Sequence, residues 1–139
     1  VFPLDSLPIA GRVSYAYLSV NLDISVTQAM LKAQERSAML VQFTMFPTDK
    51  GESVSGYVAQ VIDVCEESGL PYKLGPMSTS IEGEWDEVFG VIKACRNKLR
   101  KVSNRVYIVI SVDDRKDAKN RIEGKISAVA AKLGREPLV

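Results

Sequence analysis

From Met39 to Leu133 the spacing of apolar residues switches between the strand period and the helical period. The order is strand, helix, strand, strand, helix, strand, helix, and few folds accept it. Met39–Phe46 alternates Val41, Phe43 and Met45 with Gln42 and Thr44, the pattern of a strand with two unlike faces. Residues 47–52 form its exit loop. Val54, Tyr57, Val58, Val61, Ile62 and Cys65 then recur at helical spacing, with Ser53 as the expected N-cap and Gly69 where a helix ends in a left-handed residue. Pro71–Pro76 and Thr79–Glu84 are short extended segments, too close together for anything but a hairpin around Gly75-Pro76. Val88, Val91, Ile92, Cys95, Leu99 and Val102 line one face of a second helix. Lys93, Arg96, Lys98, Arg100 and Lys101 give it a solvated basic face toward its C-terminal end, where the helix dipole favours positive charge. Arg105–Val112 carries the β-branched content expected of a well-buried strand. A last helix is expected over Asp117–Leu133, with Ile122, Ile126, Val129, Ala130 and Leu133 on one side and Gly134 after it.

Two β-α-β units whose inner strands form a hairpin predict an α+β, ferredoxin-like βαββαβ domain over residues 39–139. Its antiparallel sheet carries two main helices on one face, and a C-terminal helix is added. The other sheet face is left open. Phe46, Tyr107 and Val109 should point there, making an apolar patch of the size that interfaces cover, and sheet-to-sheet self-association is the simplest way to cover it. Residues 1–38 do not follow this pattern. Leu18, Val20, Leu22, Ile24 and Val26 alternate with polar residues like an edge strand, and Thr27–Ala38 has helix-forming composition. The segment is read as an N-terminal extension, a leader or translated upstream stretch in preference to an accessory element on the sheet.

At 139 residues with 46% hydrophobic and 25% charged side chains, one ordinary globular domain is expected. A net charge of +1 with both signs interspersed lacks the electrostatic footprint of a dedicated nucleic-acid binder. No apolar run approaches a membrane span and no signal-like N-terminus is present, so a cytoplasmic protein is expected. The chain has no His, which excludes Ser-His and Cys-His catalysis and His-ligated metals. Cys65 and Cys95 share the helical phase of Ile62, Val91 and Leu99, as buried, unpaired thiols would.

The densest polar run lies at residues 75–88. Gly75-Pro76 breaks the chain, Ser78, Thr79 and Ser80 supply hydroxyls, and Glu82, Glu84, Asp86 and Glu87 gather where the second helix begins. Carboxylates there suit a cationic or amine-bearing guest. They also complement the helix dipole with no guest at all, and both readings stand at this point.

Three blocks occur in order: Met39-Leu-Val-Gln-Phe-Thr-Met-Phe-Pro47, Glu67-Ser-Gly-Leu-Pro-Tyr-Lys-Leu-Gly-Pro76 and Thr79-Ser-Ile-Glu-Gly-Glu-Trp-Asp-Glu-Val88. Together they resemble the small thiamine-binding protein family, from Met39 to the C-terminus. The resemblance implies a ferredoxin-like subunit that pairs through its sheet as a homodimer or homotetramer. It also implies non-catalytic binding of thiamine or a related hydroxymethylpyrimidine, with no cofactor. The polar candidates for such a ligand are Gln42, Thr44, Ser78, Thr79, Ser80, Glu82 and Glu84. Parity puts Gln42, Thr44, Ser80 and Glu82 on the open face and Thr79 with Ile81 on the other, so the pocket is expected between subunits. Glu82 is the first choice for the amino group or cationic ring, and Trp85 and Phe46 could stack. The absence of a Gly-rich phosphate loop makes the diphosphate less suited. The alternatives are an oligomeric protein-interaction module with no small ligand, and an enzyme using Glu82 or Glu84 as base with Asp113, Asp114 and Arg115 nearby.

Overall fold

A computed structural model describes residues 27–28 and 38–139, and residues 38–139 lie in one compact unit. The alternating segment from Leu18 to Val26 and most of Thr27–Ala38 lie outside the described residues. From Met39 the chain runs β1 (Met39–Pro47), α1 (Ser55–Ser68), β2 (Tyr72–Leu74), β3 (Thr79–Gly83), α2 (Trp85–Arg100), β4 (Val106–Asp113) and α3 (Arg121–Leu133). The strands form one sheet in the order β2-β3-β1-β4, every neighbour antiparallel. This is the ferredoxin-like arrangement that the sequence predicts.

Alternation in β1 decides which side chains meet the helices. Val41, Phe43 and Met45 are buried, and the register sets Val41 beside Ile81 and Phe43 beside Thr79. Val61 and Cys65 of α1 and Val88, Val91, Ile92, Cys95 and Leu99 of α2 close over them. Each large apolar side chain so buried contributes about 1.5–3 kcal/mol. The thiols are free and buried as expected. Cys95 Sγ donates to the Val61 carbonyl at 3.7 Å, and its proton is held well above the ordinary thiol range by the contact with Cys65 and by burial. Helix α1 stops at Gly69, whose φ of 71° is left-handed and suits a residue without Cβ. The exit loop of β1 is tied across the end of the domain. The Asp49 carboxylate accepts from Ser103 Oγ and from the Asn104 backbone N–H at 2.9 Å, and those donors hold it below the usual Asp range.

Four local expectations fail for physical reasons. Ser53 does not cap α1: Val54 occupies the cap position and the Ser53 hydroxyl lies 3.4 Å from that of Ser55. Val102 falls beyond the end of α2 and is exposed. β4 is an edge strand, so Ile110 and Val112, expected in a buried strand, stay 38% and 41% exposed even on the helix-side parity. The last helix starts at Arg121 because Asp117 (φ 58°) and Asn120 (φ 49°) are left-handed and break any helix before it.

Candidate functional site

On the face away from α1 and α2, strand register sorts the candidate residues into rows. Leu40 lies between Glu82 and Asp113, and Gln42 between Ser80 and Ser111. Thr44 lies beside Val109, and Phe46 beside Tyr107. Tyr107 and Val109 are 51% and 45% exposed, and the Tyr107 ring packs on Phe46 with centroids 5.6 Å apart. The expected apolar patch is therefore present in the last two rows.

The first row is not open. The start of α3 sits on it: Glu82 is only 5% exposed, and its Oε2 accepts the Ile122 backbone N–H at 3.1 Å. Asn120, in the N-cap position, makes no side-chain cap bond, so a carboxylate from β3 supplies that acceptor. At the other end of the row Asp113 accepts from Arg121 at 2.8 Å and pairs with Lys125. Lys125 first and Arg121 second hold the Asp113 carboxyl below its ordinary range. Asp113 thus serves as a salt-bridge group at the start of α3.

Two further candidates face elsewhere. Thr79 is buried on the helix-side parity, where it is one of the residues lining the cavity described below. Glu84 is the N-cap residue of α2, its backbone N–H donating to Glu87 Oε2 at 3.3 Å, so the acidic cluster at that point builds a helix start. Trp85 stacks on Phe89 of its own helix, at 4.6 Å between ring centroids.

Gln42, Thr44 and Ser78 do come together. Gln42 Nε2 donates to Ser78 Oγ at 2.6 Å, and Thr44 Oγ1 donates to the Met77 carbonyl at 2.9 Å. The turn they hold is tight: the Gly75 N–H donates to the Ser78 carbonyl at 2.8 Å, and a Cβ on Gly75 would lie 3.1 Å from that oxygen. Half-buried Ser80 is the β3 neighbour of Gln42.

Behind this turn lies a cavity of about 250 Å³. Thr44, Ser78 and Thr79 are its hydroxyl-bearing lining residues, and Phe46, Val54, Val58 and Leu74 are among its apolar walls. It falls just below the range of small-molecule pockets, about 300–1,000 Å³, and suits one substituted ring. A wider groove of about 590 Å³ shares Leu74, Gly75 and Pro76 with it and has Asp63 on its wall. Val54, Val58 and Leu74 are the residues that sequence reasoning missed. Their apolar periodicity is that of core positions, and nothing in a period tells a filled contact from an unfilled one. Among the described residues no cluster of His, Cys, Asp and Glu could hold a metal ion, and no helix is long and apolar enough to cross a membrane.

Comparison with known proteins bears on the same region. A family model for thiamine-binding proteins matches residues 41–130. A UPF0045 protein of Methanocaldococcus jannaschii is 32% identical over 91 residues, covering 66% of this chain and 91% of that protein. The UPF0045 protein YqgV of Bacillus subtilis is 43% identical over 82 residues, 55% of this chain and 79% of its own. Among solved structures, the M. jannaschii hypothetical protein MJ1052 superposes with a TM-score of 0.64 at 30% identity, covering 68% of this chain and 98% of that one. A Thermotoga maritima protein provisionally assigned to thiamine biosynthesis or salvage shares the fold, with a TM-score of 0.58 at 23% identity over 66% of this chain and 98% of that one.

Proposed function

Because this chain belongs to the thiamine-binding protein family, we propose that it binds thiamine, or the hydroxymethylpyrimidine half of it, without chemical change. The observation that carries this reading is the cavity of about 250 Å³ behind the Gly75–Ser78 turn, mostly apolar in its lining, with the hydroxyl residues Thr44, Ser78 and Thr79. A pyrimidine ring wants such a place: flat apolar contact on its faces and a few fixed polar groups at its edge. Phe46 lines the cavity and carries Tyr107 beside it, so the cationic thiazolium leaving the cavity meets aromatic rings. Glu82 belongs to α3 in this reading and Glu84 to α2; the polar residues lining the cavity are Thr44, Ser78 and Thr79, with Gln42 and Ser80 beside them on the sheet.

The exposed rows of Thr44–Val109 and Phe46–Tyr107 favour a second copy of the chain as the cover that completes the site. A protein-interaction module with no small ligand would use the same rows. Isothermal titration of the purified protein with thiamine, its phosphates and free hydroxymethylpyrimidine separates the two, with sedimentation reporting assembly. Saturable binding of the pyrimidine-bearing compounds, weakened about tenfold by Ser78→Ala through loss of one hydrogen bond, supports the proposal. A folded, associated protein that takes up none of them would leave the interaction module as the function.

A further inference from the structure

The hydrogen bonds around the Gly75–Ser78 turn have a direction, and direction is what an aminopyrimidine edge reads. Thr44 Oγ1 gives its single proton to the Met77 carbonyl, so toward any other partner that oxygen can only accept. Ser78 Oγ receives a proton from Gln42 Nε2, so its own O–H remains to be given elsewhere. Thr44 and Ser78 both line the cavity, whereas Gln42 does not. Of the three hydroxyl residues that line the cavity, Thr79 is buried, and the other two offer one acceptor, Thr44, and one donor, Ser78.

We propose that Gln42 is a positioning residue that makes the Ser78 hydroxyl a donor beside the Thr44 acceptor, and that this pair selects a 4-aminopyrimidine over its 4-oxo counterpart. The inference rests on the binding proposal above and deepens it. A 4-aminopyrimidine presents a ring nitrogen that accepts next to an amino group that donates, the complement of Ser78 and Thr44. The 4-oxo form presents a ring N–H and a carbonyl, so donor would face donor and acceptor face acceptor. Both bonds are exposed in the single chain. Once the ligand and the covering second copy exclude water, unpaired polar groups carry their desolvation cost, which is why reversed patterns are rejected far more strongly than a missing methyl.

Thiamine and its 4-oxo analogue differ only at this edge, so the ratio of their affinities measured by calorimetry isolates it. The parent protein should prefer thiamine by about a hundredfold, the expected scale for two mismatched hydrogen bonds. Gln42→Glu replaces the donor by a carboxylate that takes the Ser78 proton. The added charge attracts the thiazolium of both ligands alike and cancels in the ratio, which should collapse to less than about tenfold. Gln42 is exposed on the sheet face, so the variant should melt like the parent. Gln42→Ala frees the hydroxyl to rotate and should leave an intermediate ratio. A parent that binds both ligands equally overturns this inference and leaves the binding proposal standing. A ratio preserved in Gln42→Glu overturns the role of Gln42, and a parent that binds neither ligand overturns both.

Discussion

Removing the Glu82 carboxylate tests whether the acid belongs to the fold or to a ligand. Glu82 accepts the Ile122 N–H from a position 5% exposed, at the start of a helix whose own N-cap residue contributes no side-chain bond. A hydrogen bond to a charged group contributes about 1.5–3 kcal/mol, and the attraction of a carboxylate for a helix N-terminus overlaps with that figure. About 2 kcal/mol is therefore expected for Glu82→Ala. The rest of the anchoring of α3 is modest: only Ala130 is buried, Ile122 and Ile126 are half-buried, Val129 and Leu133 are half exposed, and the Asp113 pairs are screened by solvent. The loss should thus appear as local opening of α3, with the rest of the domain unaffected. Amide hydrogen exchange over residues 121–133 should accelerate about thirtyfold in Glu82→Ala and about fivefold in Glu82→Gln, which keeps a neutral acceptor. Exchange in α2 should not change. Unaltered α3 exchange in Glu82→Ala, or equal acceleration in α2, would refute the capping role. A tenfold loss of thiamine affinity in Glu82→Gln with α3 protection intact would return the residue to the ligand.

Phe43→Ala should lower the unfolding free energy by about 3–5 kcal/mol in urea titration, because the ring is fully enclosed between sheet and helices and leaves a cavity behind. Acid should destabilise the domain through Asp49 and Asp113. Both carboxyls titrate lower when folded than their ordinary value of 3.8, so their stabilisation is complete above that pH and is lost as pH falls through the folded values. Asp49→Asn should make the decline shallower in acid-titrated melting curves. Native Cys65 and Cys95 should react with a thiol reagent only as fast as the domain opens, and immediate labelling would contradict their burial.

Much of the architecture was legible because β1 alternates cleanly. Val41, Phe43 and Met45 against Gln42 and Thr44 fix two faces, and with the hairpin they fix which side Ser80 and Thr79 take. The pairing Gln42–Ser80 follows from that parity and is the pairing in the sheet. The remaining placements need information that a local period does not carry. The β-branched residues of Val106–Val112 specify a strand but not its neighbours, so a central and an edge position read alike. Glu82 was assigned to the correct face, yet its partner is a backbone N–H forty residues later, donated by a helix whose placement no spacing encodes. Glu84 looked like a ligand carboxylate because four acids together satisfy a cation and a helix start equally well. The cavity behind Ser78 was invisible for a different reason: Val54, Val58 and Leu74 have the same apolar pattern whether or not the volume between them is filled.

The position of β4 also governs how copies of the chain can aggregate. Val106–Val112 holds no charged side chain, is rich in β-branched residues, and lies along a sheet edge where backbone donors and acceptors are a template for another strand. Arg105 closes the run at one end and Asp113-Asp114-Arg115 at the other. In a parallel, in-register stack of such segments, like charges fall on like at both ends and fibre growth is opposed. Turned antiparallel, Arg105 of one copy faces the acids of the next and the same charges attract. The termini of this strand therefore disfavour parallel, in-register stacking while tolerating an antiparallel pair, and exchanging Arg105 for an acid should set acid against acid in either orientation and oppose both.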